Sequence, residues 1–406
     1  MADPKITVLN WLRKQVEQLD TDLIRQMLKS AAEYLMGLEA DELCGAAHGQ
    51  KSQDRVNHRN GYRSRRWDTR TGSIELAIPR VRRGSYFPDW LLTPRKRAEK
   101  ALVQVVCESY INGVSTRRMD RLAAAMGIEG ISKSQVSEMA SGIDQLVADF
   151  CQRPLDCVPY PYVWMDALSQ RCREGGRVVS VAAVIATGVN AQGRRQILGL
   201  DVFTSEDESG WRSFVRSLVE RGLSGVSLVI SDAHPGLKAA IAGELPGAGW
   251  QRCRTHFARN LLAKVPKSAQ DFVATMHRSI FSQQTPDQVR DQHQRVVQQL
   301  EQRFSQAAQM LDEAVEEILA FTAFPKSHWR QIWSNNPQER LNREIRRRTD
   351  VVSIFPNRAA LMRLLGAVLA EQDDEWTCGR RYMSLESVKH IHCSNSMVEE
   401  LKKLAA

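Results

Sequence analysis

Between residues 162 and 245 the chain takes on a pattern that leaves few folds open to it. Three apolar runs follow one another, YVWMDAL, VVSVAAVIATGVN and QGRRQILGLDVFTS, separated by Gly and Asn turn residues. Short apolar runs bounded by turn signals read as buried strands. Three joined by short turns read as an antiparallel meander. SGWRSFVRSLVERG then places Trp211, Phe214, Val215, Leu218 and Val219 on one helical face. VSLVISDAH is a further buried strand, and PGLKAAIAGEL is a helix with Pro235 in its first turn. Three strands, a helix, a strand and a helix predict an α/β domain on a mixed sheet.

Two acids sit where such a sheet tolerates them least. Asp166 lies inside the apolar run VWMDAL, and Asp232 lies where SLVISD ends and the next helix begins. A carboxylate in or at the end of a buried strand must be paired, protonated or bound to a metal ion. Both acids could face the crevice at the strand ends of an α/β sheet. Glu339, in the helix NPQERLNREIRRR, is the best candidate for a third, with Glu344 of the same helix as its rival. Each also has a structural reading: Asp166 as a salt-bridged acid, Asp232 as a helix N-cap, Glu339 as the partner of Arg343 four residues on. Carboxylates suit a hard, oxygen-preferring ion such as Mg²⁺. Two such ions about 3.5–4 Å apart can activate the attacking oxygen and stabilise the leaving one in phosphodiester chemistry.

The regions around the sheet have a different texture. The sequence of 406 residues is too long for one core, while 43 % hydrophobic and 25 % charged residues are ordinary for a globular chain. A formal net charge of +9 favours polyanionic partners, nucleic acid first. The first residues carry no signal peptide, and no run approaches the roughly 20 apolar residues of a membrane span. Both point to a cytoplasmic protein with no membrane partner. The eight cysteines form no CxxC pair, and a disulfide framework is not expected.

Organisation along the chain follows from these shifts. Residues 1–60 are an N-terminal helical region, within which residues 49–66 begin a basic loop of five Arg and one Lys against one Asp. Residues 61–98 form a basic β arm, with Ile74, Leu76 and Ile78 on one face and a partner strand expected after the turn at GSYF. Residues 99–152 hold short capped helices that read as a helix-turn-helix. Its second helix offers Lys133 and Gln135 to base edges and Ser132 and Ser134 to phosphates, with Arg117 and Arg118 on the helix before it. Residues 153–262 carry the first part of the α/β core, 263–330 a helical insertion rich in Gln and charge, and 331–376 the last part of the core with the glutamate helix. Residues 377–406 form a tail with no assignable element.

Several of these stretches resemble a known family. WMDAL, VISDAHPGLKAAI, RCRTHFARNLL and NPQERLNREIRRRTDVVSIFPN resemble the catalytic blocks of the Mutator-type insertion-sequence transposases. RNGYRSRRWDTRTGSIELAIPRVR and YINGVSTRRMDRLAAAMG resemble that family's N-terminal half, so the likeness runs in order through nearly the whole chain. The resemblance implies an RNase H-like core carrying a DDE triad at Asp166, Asp232 and Glu339, with a helical insertion before the glutamate. It implies two Mg²⁺ or Mn²⁺ ions held by those three acids. It also carries a Cys-x-x-His pair, here Cys253 and His256. Two ligands are too few for a structural zinc site. Cys253 therefore reads as a packed strand residue and His256 as a donor or proton shuttle near the scissile phosphate.

Arg340, Arg343, Arg346, Arg347 and Arg348 cover more than one face of the glutamate helix. Arg340, Arg343, Arg346 and Arg347 are the candidates to hold the DNA backbone. Trp211 is open to two readings, a platform for a flipped base or a core residue. The implied function is a bacterial, nucleoid-associated DNA transposase. It would bind terminal inverted repeats in double-stranded DNA, cut and join by metal-dependent chemistry, and act as a homodimer or larger assembly. The alternatives are a domesticated DNA-binding regulator without cleavage, or another RNase H-like nuclease.

Overall fold

The computed structural model describes residues 23–92, 96–112, 114, 116–125, 128, 133–140, 142–389 and 391. The chain divides into two compact units, residues 1–142 and 143–406. The helix expected at LNWLRKQVEQL lies outside the described residues.

In the first unit, helix α1 (Leu23–Cys44) packs on a hairpin of β1 (Arg59–Thr69) and β2 (Gly72–Val81). Ala32 and Met36 of the helix meet Trp67, Ile74, Leu76 and Ile78 of the hairpin in one core. The expected alternation of Ile74, Leu76 and Ile78 is present, but two expectations need correction. The partner strand precedes β2 rather than following it, and residues 59–66 are strand rather than loop. β1 is RNGYRSRRWDT, whose basic residues carry no apolar alternation. Backbone pairing with β2, not hydrophobic periodicity, makes it a strand. Gly72, at φ 117, sets the tight turn, a backbone region other residues avoid. Helices α2 (Lys100–Ile111), α3 (Thr116–Ala125) and α4 (Lys133–Ala140) share a small core of Leu102, Val106, Met119, Ala123 and Val136.

The second unit is built on a five-stranded sheet. Helix α5 (Ile143–Gln152) precedes β3 (Tyr162–Glu174), β4 (Arg177–Val189) and β5 (Arg195–Phe203), which form the expected antiparallel meander. Then come α6 (Glu208–Glu220), β6 (Leu228–Ser231), α7 (Pro235–Glu244) and β7 (Gly249–Arg252). The strand order is β5-β4-β3-β6-β7, with β6 parallel to β3 and β7 parallel to β6. β7, the sequence GWQR, offers no apolar run. It is fixed by pairing with β6 and by buried Gln251, whose amide donates to Ile318 O and accepts from Phe321 N.

Strand β3 sorts its side chains onto the two faces of the sheet. Val163 and Met165 join a core with Trp211, Phe214, Leu218, Leu237 and Ile241 of α6 and α7. Tyr162 and Trp164 face the opposite core, formed with the helices that follow β7. Those are α8 (Arg254–Leu262), α9 (Gln270–Ile280), α10 (Pro286–Glu301), α11 (Ser305–Glu313), α12 (Val315–Ile318) and α13 (Trp329–Ile332). Residues 263–330 are thus helical, as their sequence reads. The chain then returns over the sheet through α14 (Asn336–Val352) and α15 (Arg358–Cys378). No helix among the described residues is long and apolar enough to cross a membrane.

Candidate active site

Asp166 is the fifth residue of β3 and shares the side-chain parity of Tyr162 and Trp164, so it points to the face covered by α14. Its Oδ2 accepts from Asn342 Nδ2 at 2.6 Å and its Oδ1 from Ala167 N at 3.0 Å. Burial pushes its carboxyl up to about 6, against the pull of His256, Asn342 and the Ala167 N–H, and nearby Asp232 adds to the rise.

Asp232 follows β6 directly. The parallel ladder pairs Tyr162 with Leu228, Val163 with Val229 and Trp164 with Ile230. Carried two residues further, the same register sets Asp166 beside Asp232, on chains about 4.8 Å apart. Both line a cleft of about 270 Å³, together with Glu206, His234 and Arg252. The N-cap of α7 is His234, so the helix-cap reading of Asp232 does not hold. Its Oδ1 instead accepts from Ala233 N at 2.7 Å, and its other oxygen makes no hydrogen bond among the described residues.

Glu339 lies in the first turn of α14. The helix is laid on the sheet by its buried residues Gln338, Leu341, Asn342, Ile345 and Thr349, a stripe at helical spacing. Gln338 Oε1 accepts from Thr187 Oγ1 of β4 at 2.9 Å, and Asn342 reaches Asp166. Glu339 Oε1 stands 3.6 Å from His256 Nε2, and not beside Arg343. Glu344 is committed elsewhere: Arg347 and Arg348 hold it at 2.7 and 3.1 Å, and the Arg347 hydrogen bond keeps its carboxyl below the usual range.

Cys253 and His256 flank the junction of β7 and α8. Cys253 is fully buried, and its Sγ accepts from Asn335 N at 3.2 Å, tying the start of α14 to the end of β7. His256 is pushed up to about 9, with the Cys253 sulfur, then Asp232 and Asp166, as the groups that raise it. The His256 Nδ1 is buried and makes no hydrogen bond among the described residues. Its Nε2 is turned toward Glu339. Among the described residues, no three His, Cys, Asp or Glu side chains stand close enough to hold a metal ion as they lie. Asp166 and Asp232 line the cleft, and Glu339 faces His256. Two adjacent carboxylates, with Glu206 in the same cleft, are oxygen donors that fit a hard divalent cation.

The remaining sequence candidates are spread over both units. Arg340, Arg343 and Arg346 are exposed on α14. Arg347, also exposed, is paired with Glu344, and Arg348 is buried between Glu344 and Glu371. Trp211 is fully buried beside Phe214, with its Nε1 donating to Glu206 at 3.3 Å, which makes it a core residue. In the first unit Arg118 is exposed and Gln135 half-buried. Ser132 and the side chains of Arg117, Lys133 and Ser134 lie outside the described residues. Sequence reasoning missed Asn342, Asn335 and Glu206. The signal for the first was present: a polar residue on the same helical stripe as Leu341 and Ile345.

Residues 3–379 match the model of a family described as "Transposase, Mutator family". The chain is 55 % identical to the transposase for insertion sequence element IS1081 of Mycobacterium tuberculosis, over 97 % of this chain and 94 % of the relative. It is 34 % identical to the transposase for insertion sequence element ISRM5 of Rhizobium meliloti, over 93 % of this chain and 94 % of the relative. It is 35 % identical to the transposase for insertion sequence element IS256 in transposon Tn4001 of Staphylococcus aureus, over 90 % of this chain and 94 % of the relative.

Proposed function

The chain belongs to the Mutator family of transposases, and from that premise we propose that it cuts the ends of an insertion sequence and joins them to target DNA with Asp166, Asp232 and Glu339 as its metal-binding carboxylates. The observation that carries this reading is the parallel register that sets Asp166 beside Asp232 at the rim of one cleft. Three antiparallel strands followed by two parallel ones support an RNase H-like core. Residues 263–330 are then its helical insertion. The shared core of α2, α3 and α4 supports a helix-turn-helix region for end binding, with Gln135 on its second helix.

Two Mg²⁺ or Mn²⁺ ions, when bound, supply an activated attacking oxygen and a stabilised leaving oxygen. The protein's own groups orient and hold. Asn342 fixes the plane of the Asp166 carboxylate. His256, 3.6 Å from Glu339, orients that side chain, and its Nε2–H can pass a proton to a departing oxygen. Water first breaks the phosphodiester at the element's end and frees a 3′-OH. That hydroxyl then attacks a second phosphodiester in line, forming one P–O bond as another breaks. The exposed Arg340, Arg343 and Arg346 grip the strand beside the carboxylates. Two ends must be joined, so the working form is a homodimer or larger assembly on double-stranded DNA.

The test is a labelled duplex carrying the end of the element, incubated with the full-length protein and Mg²⁺ or Mn²⁺. A nick at the end that disappears with EDTA is the expected result. Tight end binding with no nick in either metal would overturn the reading in favour of a binding protein.

A further inference from the structure

A second cavity, about 480 Å³, lies where α14 and α15 meet the first residue of β5. Arg195, Arg340, Glu344, Arg348, Glu371 and Trp376 are among its walls. The Arg195 guanidinium sits 3.4 Å from the centre of the Trp376 ring and 5.1 Å from that of Tyr382. Stacking of this kind fixes the plane of a guanidinium and leaves its edge free to bind.

That edge meets no acceptor. Among the described residues neither Arg195 nor Arg340 has an acidic partner or a side-chain hydrogen bond, whereas Arg347 and Arg348 next to them are paired. The acids of the cavity are already engaged: Glu344 and Glu371 by those arginines, and Glu375 by Gln372 Nε2 at 2.6 Å. Burial, with the Arg340 charge beside it, lowers the Arg195 pKa to about 10 against an opposing pull from Tyr382. A partly desolvated cation beside a like charge is unfavourable unless an anion joins it.

The place of the cavity narrows the choice of anion. Arg195 pairs with Val189, and Val189 with Tyr162. Two strand spacings of about 4.8 Å and four residues of about 3.3 Å put Arg195 roughly 16 Å from Asp166. An anion held there is not the one at the carboxylates. Arg340 directly follows Glu339 and begins the exposed row that continues through Arg343 and Arg346.

We propose that Arg195 and Arg340, with Trp376 as the platform that orients Arg195, form a pocket for a DNA backbone phosphate away from the scissile one. This rests on the reading of the chain as acting on DNA, and it names a contact that sets the path of the strand across α14. Such a contact positions the DNA without reading its sequence.

The test uses the full chain in EDTA, so that binding is read without cutting. Duplexes carrying the element's end are scanned with single uncharged methylphosphonate linkages against wild type, Arg195→Gln and Arg340→Gln. The expected result is a backbone position whose neutralisation weakens wild-type binding and has no further effect in either variant. The slope of log affinity against log salt should fall by about one in each. If Arg195→Gln does not fold, Arg195→Lys, which keeps a charge but loses the flat stacked edge, takes its place in the scan, and the neutralised position should then matter less than in wild type. The proposal is overturned if every position that matters to wild type matters equally to the variants with an unchanged slope. The same unchanged scan is the outcome if free inorganic phosphate, not DNA, fills the pocket. Failure of the metal-dependent nick, with the scan as expected, would count against the carboxylates and leave this pocket standing.

Discussion

Replacing Asp166 with asparagine removes a charge and keeps a shape, and it separates stability from function. Burial pushes the Asp166 carboxyl up to about 6 from its ordinary 3.8. At about 1.36 kcal/mol per pKa unit, ionisation in the folded chain at pH 7 is opposed by roughly 3 kcal/mol. The side chain is partly open to the cleft, and solvent screening brings this to about 2 kcal/mol. Because the folded pKa is raised, the stability in question is fully present below pH 3.8 and is lost as the pH climbs through 6. Asparagine avoids that loss. Its Oδ1 can accept from Ala167 N, and its amide can donate to Asn342 Oδ1, which is buried without a partner, once the Asn342 amide turns over. Asp166→Asn is therefore expected to raise Tm at pH 7 by several degrees, at about 2–4 °C per kcal/mol for a unit of this size, and to gain little at pH 4. Calorimetry of both proteins at the two pH values measures it. A lower Tm at pH 7, or a gain of equal size at pH 4, refutes the reasoning. The same variant should no longer cut DNA, since an acid held against its solvation preference is the kind of strain that function retains.

Two further outcomes follow from packing in the second unit. A Cβ at Gly366 in α15 would stand 2.2 Å from Val147 Cγ1 of α5. The overpacking, about 1–3 kcal/mol, exceeds the roughly 1 kcal/mol that alanine gains over glycine in a helix. Gly366→Ala is thus expected to lower the denaturation midpoint and Val147→Ala to restore it in the double variant; a more stable single variant would count against that packing. Trp211→Ala is expected to cost about 3–5 kcal/mol while leaving DNA affinity per folded molecule unchanged. A fully stable Trp211→Ala with weakened binding would return this residue to a base-stacking role.

The sequence was informative wherever burial imposed a period. The runs at 162–168, 178–189 and 197–203 had to be strands, and the acid within the first stood out because its neighbours are apolar. Strand β1 was not legible, because four arginines among its eleven residues mask any alternation. β7 was not legible either, because four residues hold no period and Gln251 is buried by hydrogen bonds to residues about seventy positions away. The tail after Cys378 gave no pattern, yet Tyr382, Met383 and Val388 pack on the core of the insertion. That docking depends on Gly193, where a Cβ would fall 2.1 Å from Met383 O. The three candidate acids were picked out by chemistry and by resemblance. The partners that orient them, Asn342 on Asp166 and His256 on Glu339, depend on how α14 and α8 lie over the sheet, which spacing along the chain does not encode.

The most direct test of the account compares nicking of the end duplex in Mg²⁺ by Asp166→Ala, Asp232→Ala, Glu339→Ala and Glu344→Ala, each at the same bound fraction of DNA. Loss of nicking in the first three, with Glu344→Ala close to wild type, is the result the account predicts. An active Glu339→Ala beside a folded but inactive Glu344→Ala would contradict it and move the third carboxylate along α14 to Glu344.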